Sequence, residues 1–419
     1  MIALALSESW EEAAEQVAEI AAKQKHRTRK PARMILLETE LGYAVAYAQE
    51  ARSAGNTLTI YHGFFKDPST PRRLAEAETP REIGEILREA PGFYSGAIIA
   101  EDRVTLFKDH AGHMPLAYRL KGRGIAAALE RQALGFEAEQ LPPGALLTVS
   151  KAGVELEKWY KPSKREVEDP VAALASALSS AAEDLIPEGS SITFSGGLDS
   201  SLLAFLASRS GKQVELISVG YEGCFDHESA SEAASLLDLD LKLVRIGDED
   251  LAQAVKLLEK MLPKKGLMDL ALASIFYHAS KNSGSRVLIA GQGADELFGG
   301  YWKYAEALEK EGLERASALM ESDVENLYLN NLERDELASA LGGSALIAPY
   351  LDREIYDLAL SIHPSLKLKR VNGEIVRKWV LRRAAERLGL PKPLVERPKK
   401  AAQYGSGVLK RLRKILGKT

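Results

Sequence analysis

A single cysteine, Cys224, is all the thiol this 419-residue chain carries. An internal disulfide and a cysteine-rich zinc site are therefore excluded. No uninterrupted apolar run is long enough to span a bilayer, and the first residues lack the basic start and apolar core of a signal peptide. Neither sign of charge dominates: 55 Lys and Arg stand against 59 Asp and Glu, and a net charge of −4 gives no global pull toward nucleic acid. Repeats and low-complexity segments are absent. What is there is 46% apolar and 27% charged, the composition of a soluble globular protein, and the cytoplasm is the expected compartment. At ~100–200 residues per domain the length allows two or three domains.

Two regions differ in rhythm. Residues 1–162 read as a mainly β domain with a few helices. Helical spacing of Leu6, Ala13, Val17 and Ile20 predicts a helix over Met1–Lys25, and strands follow from Met34 to Ile60. Thr79 and Pro80 signal a helix start. Phe93–Ala100 and Val104–Asp109 form a hairpin pattern. His110 and His113 lie close in sequence, but the Gly112 turn and the lack of a nearby thiol argue against a metal pair. Ala126–Leu134 reads as a short helix. Residues 163–170 are polar and proline-flanked, as in a linker. From residue 171 to 419 strands alternate with helices, which predicts an α/β fold with a parallel, doubly wound sheet. Its last part, from Tyr301, reads as almost wholly helical.

In that second region Ser195-Gly196-Gly197-Leu198-Asp199-Ser200-Ser201 follows a short β-branched strand and opens a helical pattern. Glycines let backbone approach a ligand, and the open N–H groups of a helix start attract anions. Asp199 in such a place calls for a cation, and Mg²⁺ held by one carboxylate plus phosphates answers that need. A plain strand-to-helix turn with Asp as cap is the alternative. Gly291-Gln292-Gly293-Ala294-Asp295 repeats the same logic after another strand. Ligands of such sheets bind beyond the carboxyl ends of the strands. Three loops, 195–201, 220–226 and 291–300, are thereby expected around one crevice, with Asp199 and Asp295 on either side of a metal-bound pyrophosphate. Arg397-Pro398-Lys399-Lys400 and the glycines after it could close over phosphates, or simply form a solvated basic tail.

Together these residues resemble a family. Ser195–Ser201 is similar to the PP-loop of N-type ATP pyrophosphatases, of the adenine nucleotide α-hydrolase type. Gly291–Tyr301 and Ala348-Pro349-Tyr350-Leu351-Asp352 resemble signatures of the asparagine synthetase family within that group. Trp379–Gly407 resembles its C-terminal lid. Asp109–Tyr118 and Leu129–Gly144 resemble parts of its N-terminal glutaminase domain, of the Ntn type.

The resemblance implies ATP and Mg²⁺ as cofactors, and a small-molecule carboxylate and ammonia as reactants. Asp199 and Asp295 would hold the metal. Ser195, Gly196, Gly197, Leu198, Asp199, Ser200, Ser201, Gly291 and Gly293 would hold the phosphates, with Val219 and Gly220 on the adenine and ribose side. Lys399 would stabilise charge in the adenylation transition state.

Two departures stand out. A glutaminase of this type needs a cysteine directly after the initiator Met, and this sequence has Ile2. The first domain is thus expected to be an inactive remnant, with nitrogen drawn from free ammonia or a separate donor. Gln292 stands where asparagine synthetases usually carry Glu. A carboxamide hydrogen-bonds but cannot act as a base. Other acceptors, such as another carboxylic acid or an RNA nucleoside, stay open, as does a non-catalytic ATP-binding relative. Neither a membrane nor a nucleic-acid partner is expected, and a homodimer is left open.

Overall fold

Ile2-Ala3-Leu4-Ala5-Leu6 carries apolar side chains on both faces, and all five are buried. Such a run suits a central strand as well as a helix. The computed structural model, which describes residues 1–28, 30–122, 124–398 and 402–417, makes it a strand. The helix begins only at Trp10, where the Ser9 hydroxyl accepts the Glu12 N–H at 3.4 Å. The helix expected from Met1 is therefore corrected over its first turns, because apolar residues on both faces hide the strand period.

The chain forms two units, 1–161 and 162–419. In the first, the strands are β1 (Ile2–Ser7), β2 (Arg33–Thr39), β3 (Gly42–Ala48), β4 (Glu50–Ala54), β5 (Thr57–Phe65) and β6 (Gly92–Ile99). They continue with β7 (Arg103–Lys108), β8 (Ala117–Lys121), β9 (Gly124–Ala128), β10 (Glu139–Gln140), β11 (Ala145–Ser150) and β12 (Gly153–Lys158). Two antiparallel sheets result, ordered β10-β8-β9-β1-β3-β2 and β12-β11-β7-β6-β5-β4. Ile2, Leu4 and Leu6 of one sheet share a core with Ile99, Leu106 and Leu147 of the other. The opposite faces are covered by helices: Ala13 and Val17 pack on Ala3 and Ala5, while Ile83 and Leu87 pack on Tyr94 and Phe107. The layers thus run helix, sheet, sheet, helix.

Ala126–Ala128 belongs to β9, and only Arg131–Leu134 is helical. Pairing of β9 with β1 on one side and β8 on the other overrides the helix preference of the alanine run. Thr79 does cap the Pro80–Glu89 helix. His113 stacks on Phe93 at 4.4 Å, and the buried Asp109 carboxylate accepts the N–H groups of Ala111, His113 and Met114. This corner holds a tight turn together.

The second unit carries five parallel strands, β13 (Ser191–Thr193), β14 (Glu215–Gly220), β15 (Leu241–Arg245), β16 (Val287–Ile289) and β17 (Ala345–Ile347), in the order β15-β14-β13-β16-β17. Ile192 of the central strand pairs with Leu216 on one side and Ile289 on the other. The chain winds outward through β14 and β15, then returns to the far side of β13 for β16. The crevice of such a sheet opens at that reversal, beyond the carboxyl ends of β13 and β16. On one face Leu251 and Leu270, from helices Asp248–Met261 and Leu267–Asn282, pack against Ile217, Leu288 and Leu346. The other face lies against helices Pro170–Leu185 and Leu198–Arg209.

The part after Tyr301 is not wholly helical. It supplies β17 and a hairpin of β18 (Leu368–Val371) and β19 (Glu374–Arg377). Asn372 and Gly373 at the hairpin tip have φ of +50° and +87°. Positive φ at both central residues is what a two-residue hairpin turn favours, and Asn-Gly is its strongest signal. That dipeptide makes the hairpin legible in the sequence.

Candidate active site

Beyond β13 the chain turns at Gly196, whose φ is +68° and whose Cβ would meet the Ser229 carbonyl at 2.3 Å. Only glycine fits there. The Leu198–Arg209 helix then starts at Gly197, with no side chain capping it. Its first N–H groups are left to the crevice, where the helix dipole favours an anion.

A pocket of about 270 Å³ fills this crevice. Ser195, Gly197, Leu198, Asp199 and Ser200 line one side, and Gly291, Gln292 and Asp295 line the other. Val219 at the end of β14 and the apolar Leu272, Ile275 and Phe276 complete a greasy wall. Four residues expected in the site lie off the pocket wall. Gly196 faces Ser229. Gly220 packs against Cys224 Sγ and the Ser406 carbonyl, and Gly293 packs against Leu351. Ser201 is fully buried behind the helix. These glycines make room for protein atoms, while the ligand space belongs to their neighbours. Lys399 falls outside the described residues. Cys224 begins the Phe225–Leu237 helix without reaching the pocket wall, and burial pushes its thiol up.

The centre of the site is a residue the motifs did not single out. Lys378 follows β19 and sits at the start of the Trp379–Leu388 helix with φ +56°. A left-handed lysine is a strained choice, of the kind that accumulates where a side chain must be aimed. Its ammonium lies 2.7 and 2.6 Å from the two Asp199 oxygens and 2.6 Å from Asp295 Oδ1. The side chain is almost fully buried; burial pushes its pKa down and Asp199 pulls it back up.

Two motif acids therefore converge on one point, and a positive charge fills it. Gly300 protects this arrangement: a Cβ there would sit 1.8 Å from Asp295 Oδ1 and 2.3 Å from Lys378 Cε. Tyr350, fully buried, donates its hydroxyl to the Asp199 carbonyl at 3.0 Å. Asp352 caps the next helix through the Glu354 N–H. The Ala348–Asp352 segment thus braces the site from behind.

Three more basic side chains reach the pocket. Arg397 donates to the carbonyls of Gly196 (3.1 Å) and Ser229 (2.8 Å), tying the segment before Pro398 to the first glycine loop. Arg382 donates to the carbonyls of Arg377 and Arg397, so it links the hairpin to that segment. Arg334 is buried and held by Asp335, at 2.7 and 3.1 Å, and by Asp269 at 3.1 Å. Gln292 donates its Nε2 to Asp335 Oδ2. The carboxylate absent from position 292 is thus found one layer deeper, at a fully buried residue. Arg334 and Asn331 are brought to the pocket by a π-helical turn at Tyr328–Leu332, a distortion often kept at functional sites.

The donor set suits a hard divalent cation. Asp199 and Asp295 offer oxygens directed at a common point, and among the described residues no group of three or more His, Cys, Asp or Glu gathers as ligands. Two carboxylates with the rest left to phosphate and water is how Mg²⁺ is usually held.

Fold and site together define an α/β protein whose strand ends open on a cleft lined by Asp199, Asp295 and Lys378. Residues 172–316 and 307–419 match the family described as asparagine synthase. The chain is 32% identical over 395 residues to a Methanocaldococcus jannaschii protein named "Putative asparagine synthetase (glutamine-hydrolyzing) 1", covering 80% of this chain and 72% of that one. An asparagine synthetase (glutamine-hydrolyzing) of Brassica oleracea is 29% identical over 64% of this chain, which spans only 49% of the plant protein. A carboxyethyl-arginine beta-lactam-synthase of Streptomyces clavuligerus is 26% identical over 83% of this chain and 72% of its own length. The chain belongs to the asparagine synthase family.

Proposed function

We propose that the protein is an ATP-dependent amide-forming ligase that adenylates a carboxylate and then joins it to ammonia. A carboxylate oxygen bonds to the α-phosphorus of ATP, the bond to the bridging oxygen breaks, and pyrophosphate leaves. The amine nitrogen then bonds to the acyl carbon, AMP departs, and the nitrogen gives up a proton. The observation that carries this reading is the convergence of Asp199, Asp295 and Lys378 beside the uncapped helix start at Gly197.

Each residue has a part in that scheme. Ser195, Gly197 and the first N–H groups of the helix bind the pyrophosphate. Asp199 and Asp295 would hold Mg²⁺, which when bound offsets phosphate charge. Lys378, freed from the two acids, moves its positive charge onto the oxygen where charge develops in the transition state. Arg382 and Arg397 hold the segment before Pro398 over the phosphates, and Lys399, outside the described residues, would stabilise charge in the adenylation transition state. Val219 and the apolar wall of Leu272, Ile275 and Phe276 take the adenine.

The first unit has the layering of an Ntn-type glutaminase, but residues 1–161 contain no cysteine. We read it as a degenerate remnant, so the nitrogen comes from free ammonia or from another protein. A second acceptor class is favoured by one observation. Gln292 is spent on Asp335, and Arg334 is already held by two acids, so this wall differs from one that offers a free carboxylate. An acceptor other than aspartate is the consequence.

Pyrophosphate release, screened over aspartate, other carboxylic acids and RNA, with ammonium or glutamine as nitrogen source, tests both readings. Ammonium-dependent release with one acid is expected. Glutamine-dependent activity of the isolated chain would overturn the remnant assignment, and tight ATP binding without turnover for any acceptor would overturn the ligase.

A further inference from the structure

A second cavity of about 390 Å³ lies on the other side of Glu296 from the nucleotide pocket. Glu296 lines this cavity and is bonded to two residues of the first pocket. Its Oε1 accepts Tyr301 Oη–H and Asn331 Nδ2–H, both at 2.6 Å, and those two donors line the first pocket. The outer walls come from Glu314, Ser317 and Glu321 on the Leu313–Glu325 helix, and from the Ser361–Lys367 turn.

Lys367 lines this cavity and is only 5% exposed. Among the described residues its ammonium has no hydrogen bond and no ion pair. Glu321, which pulls on it from a distance, is itself paired with Lys164 at 3.2 Å on the rim. Glu296, Glu314 and His363 are the other titratable groups facing the space. Burial brings the amine down to about 8. An ammonium so largely buried, facing a cavity without a close counter-ion, carries a desolvation cost that a bound anion offsets.

We infer that this cavity binds a small carboxylate of amino-acid size, seated with its carboxylate on Lys367 and its amino group toward Glu314 and Glu321. A phosphate dianion would meet one buried ammonium and three acidic side chains, whereas a zwitterion matches both signs. The site is also wired to the first pocket. The Lys367 carbonyl accepts the Trp379 N–H at 3.1 Å, directly after Lys378, and Leu368 opens the hairpin that delivers Lys378. Occupancy at Lys367 thereby sets the base of that hairpin. The inference holds whichever acceptor the first pocket uses.

Competitive labelling tests it. The folded protein is acetylated briefly with acetic anhydride at pH 8 and mapped by mass spectrometry, alone or with L-aspartate, L-asparagine, L-glutamine or inorganic phosphate. Lys367 is expected to label, and one of the amino acids to slow that labelling about tenfold at roughly ten times its dissociation constant. Lys121, 86% exposed and outside the cavity lining, serves as the unprotected control. Calorimetric binding of the protecting amino acid should vanish in Lys367→Met, shown folded by circular dichroism, and persist in Asp199→Asn. An unreactive Lys367, equal labelling with every probe, protection by phosphate, or binding lost in Asp199→Asn overturns the assignment. The last result would place the ligand in the nucleotide pocket.

Discussion

Lys378 grips both carboxylate oxygens of Asp199 across 179 residues of chain, at 2.7 and 2.6 Å, and the same ammonium reaches Asp295. A lysine shared by two acids leaves the cluster with one net negative charge, ready for a divalent cation. Lys378→Ala is expected to lower ATP–pyrophosphate exchange by ~10²–10³, the usual effect of losing one positioned electrostatic group. Steady-state exchange assays at saturating ATP check this, with circular dichroism to show an intact fold.

Lys378 also predicts an alkaline limit. Burial lowers its pKa, so the ammonium is lost at a lower pH than an ordinary lysine would require. Exchange activity should fall as pH rises through that depressed value, and the fall should be absent from the residual activity of Lys378→Arg, which keeps its charge.

Gly300→Ala introduces one carbon where Asp295 and Lys378 already stand. The cluster must open, and exchange activity should drop at least about tenfold, while core packing elsewhere costs no more than an overpacked site, ~1–3 kcal/mol. Thermal unfolding and exchange assays separate the two effects.

Gln292→Glu replaces a donor with a carboxylate against buried Asp335. Two acids at this distance share a proton, and the folded-state pKa of one rises. The variant should be less stable than the parent by ~1–3 kcal/mol at neutral pH, as for a lost buried hydrogen bond. The deficit is full above the raised value and fades as pH falls below the ordinary carboxylate range. Urea unfolding at two pH values reads it, and a constant deficit would count against the Gln292–Asp335 contact.

Lys367→Met removes a buried, unpaired ammonium. The folded pKa of about 8 lies below the unfolded value of 10.5, so the parent gains stability as pH rises between them. The variant should therefore lead by up to about 3 kcal/mol below pH 8, from ~1.4 kcal/mol per pKa unit. That lead should shrink toward pH 10.

Much of this site could be read from the residues alone, for a physical reason. Two loops that each put glycines and an acid at a strand-to-helix turn made Ser195–Ser201 and Gly291–Asp295 stand out, though either alone could be a capped turn. Lys378 did not, because a lysine between a short hairpin and a helix looks like any solvated charge until the fold buries it. The Asn372-Gly373 turn was the missed clue to the hairpin. Asp335 and Arg334 were hidden differently. They sit in the Glu333–Gly342 helix, where charged and apolar residues from 333 to 340 are all buried and no face marks the core, and a π turn just before it shifts the phase on which helical periodicity depends. The first strand was lost because Ile2–Leu6 is buried on both faces, so its sequence shows no alternation.

The order in which these parts occur along the chain has a consequence for synthesis. A ribosome delivers β13, β14, β16 and both carboxylates long before the β18–β19 hairpin leaves the exit tunnel. Until then the nascent sheet faces its own crevice with two unneutralised acids and no lysine. Closure of the Asp199–Asp295–Lys378 cluster is therefore a late event in the life of each new molecule, and a chain stalled before Lys378 would hold the sheet and both acids without their shared counter-charge.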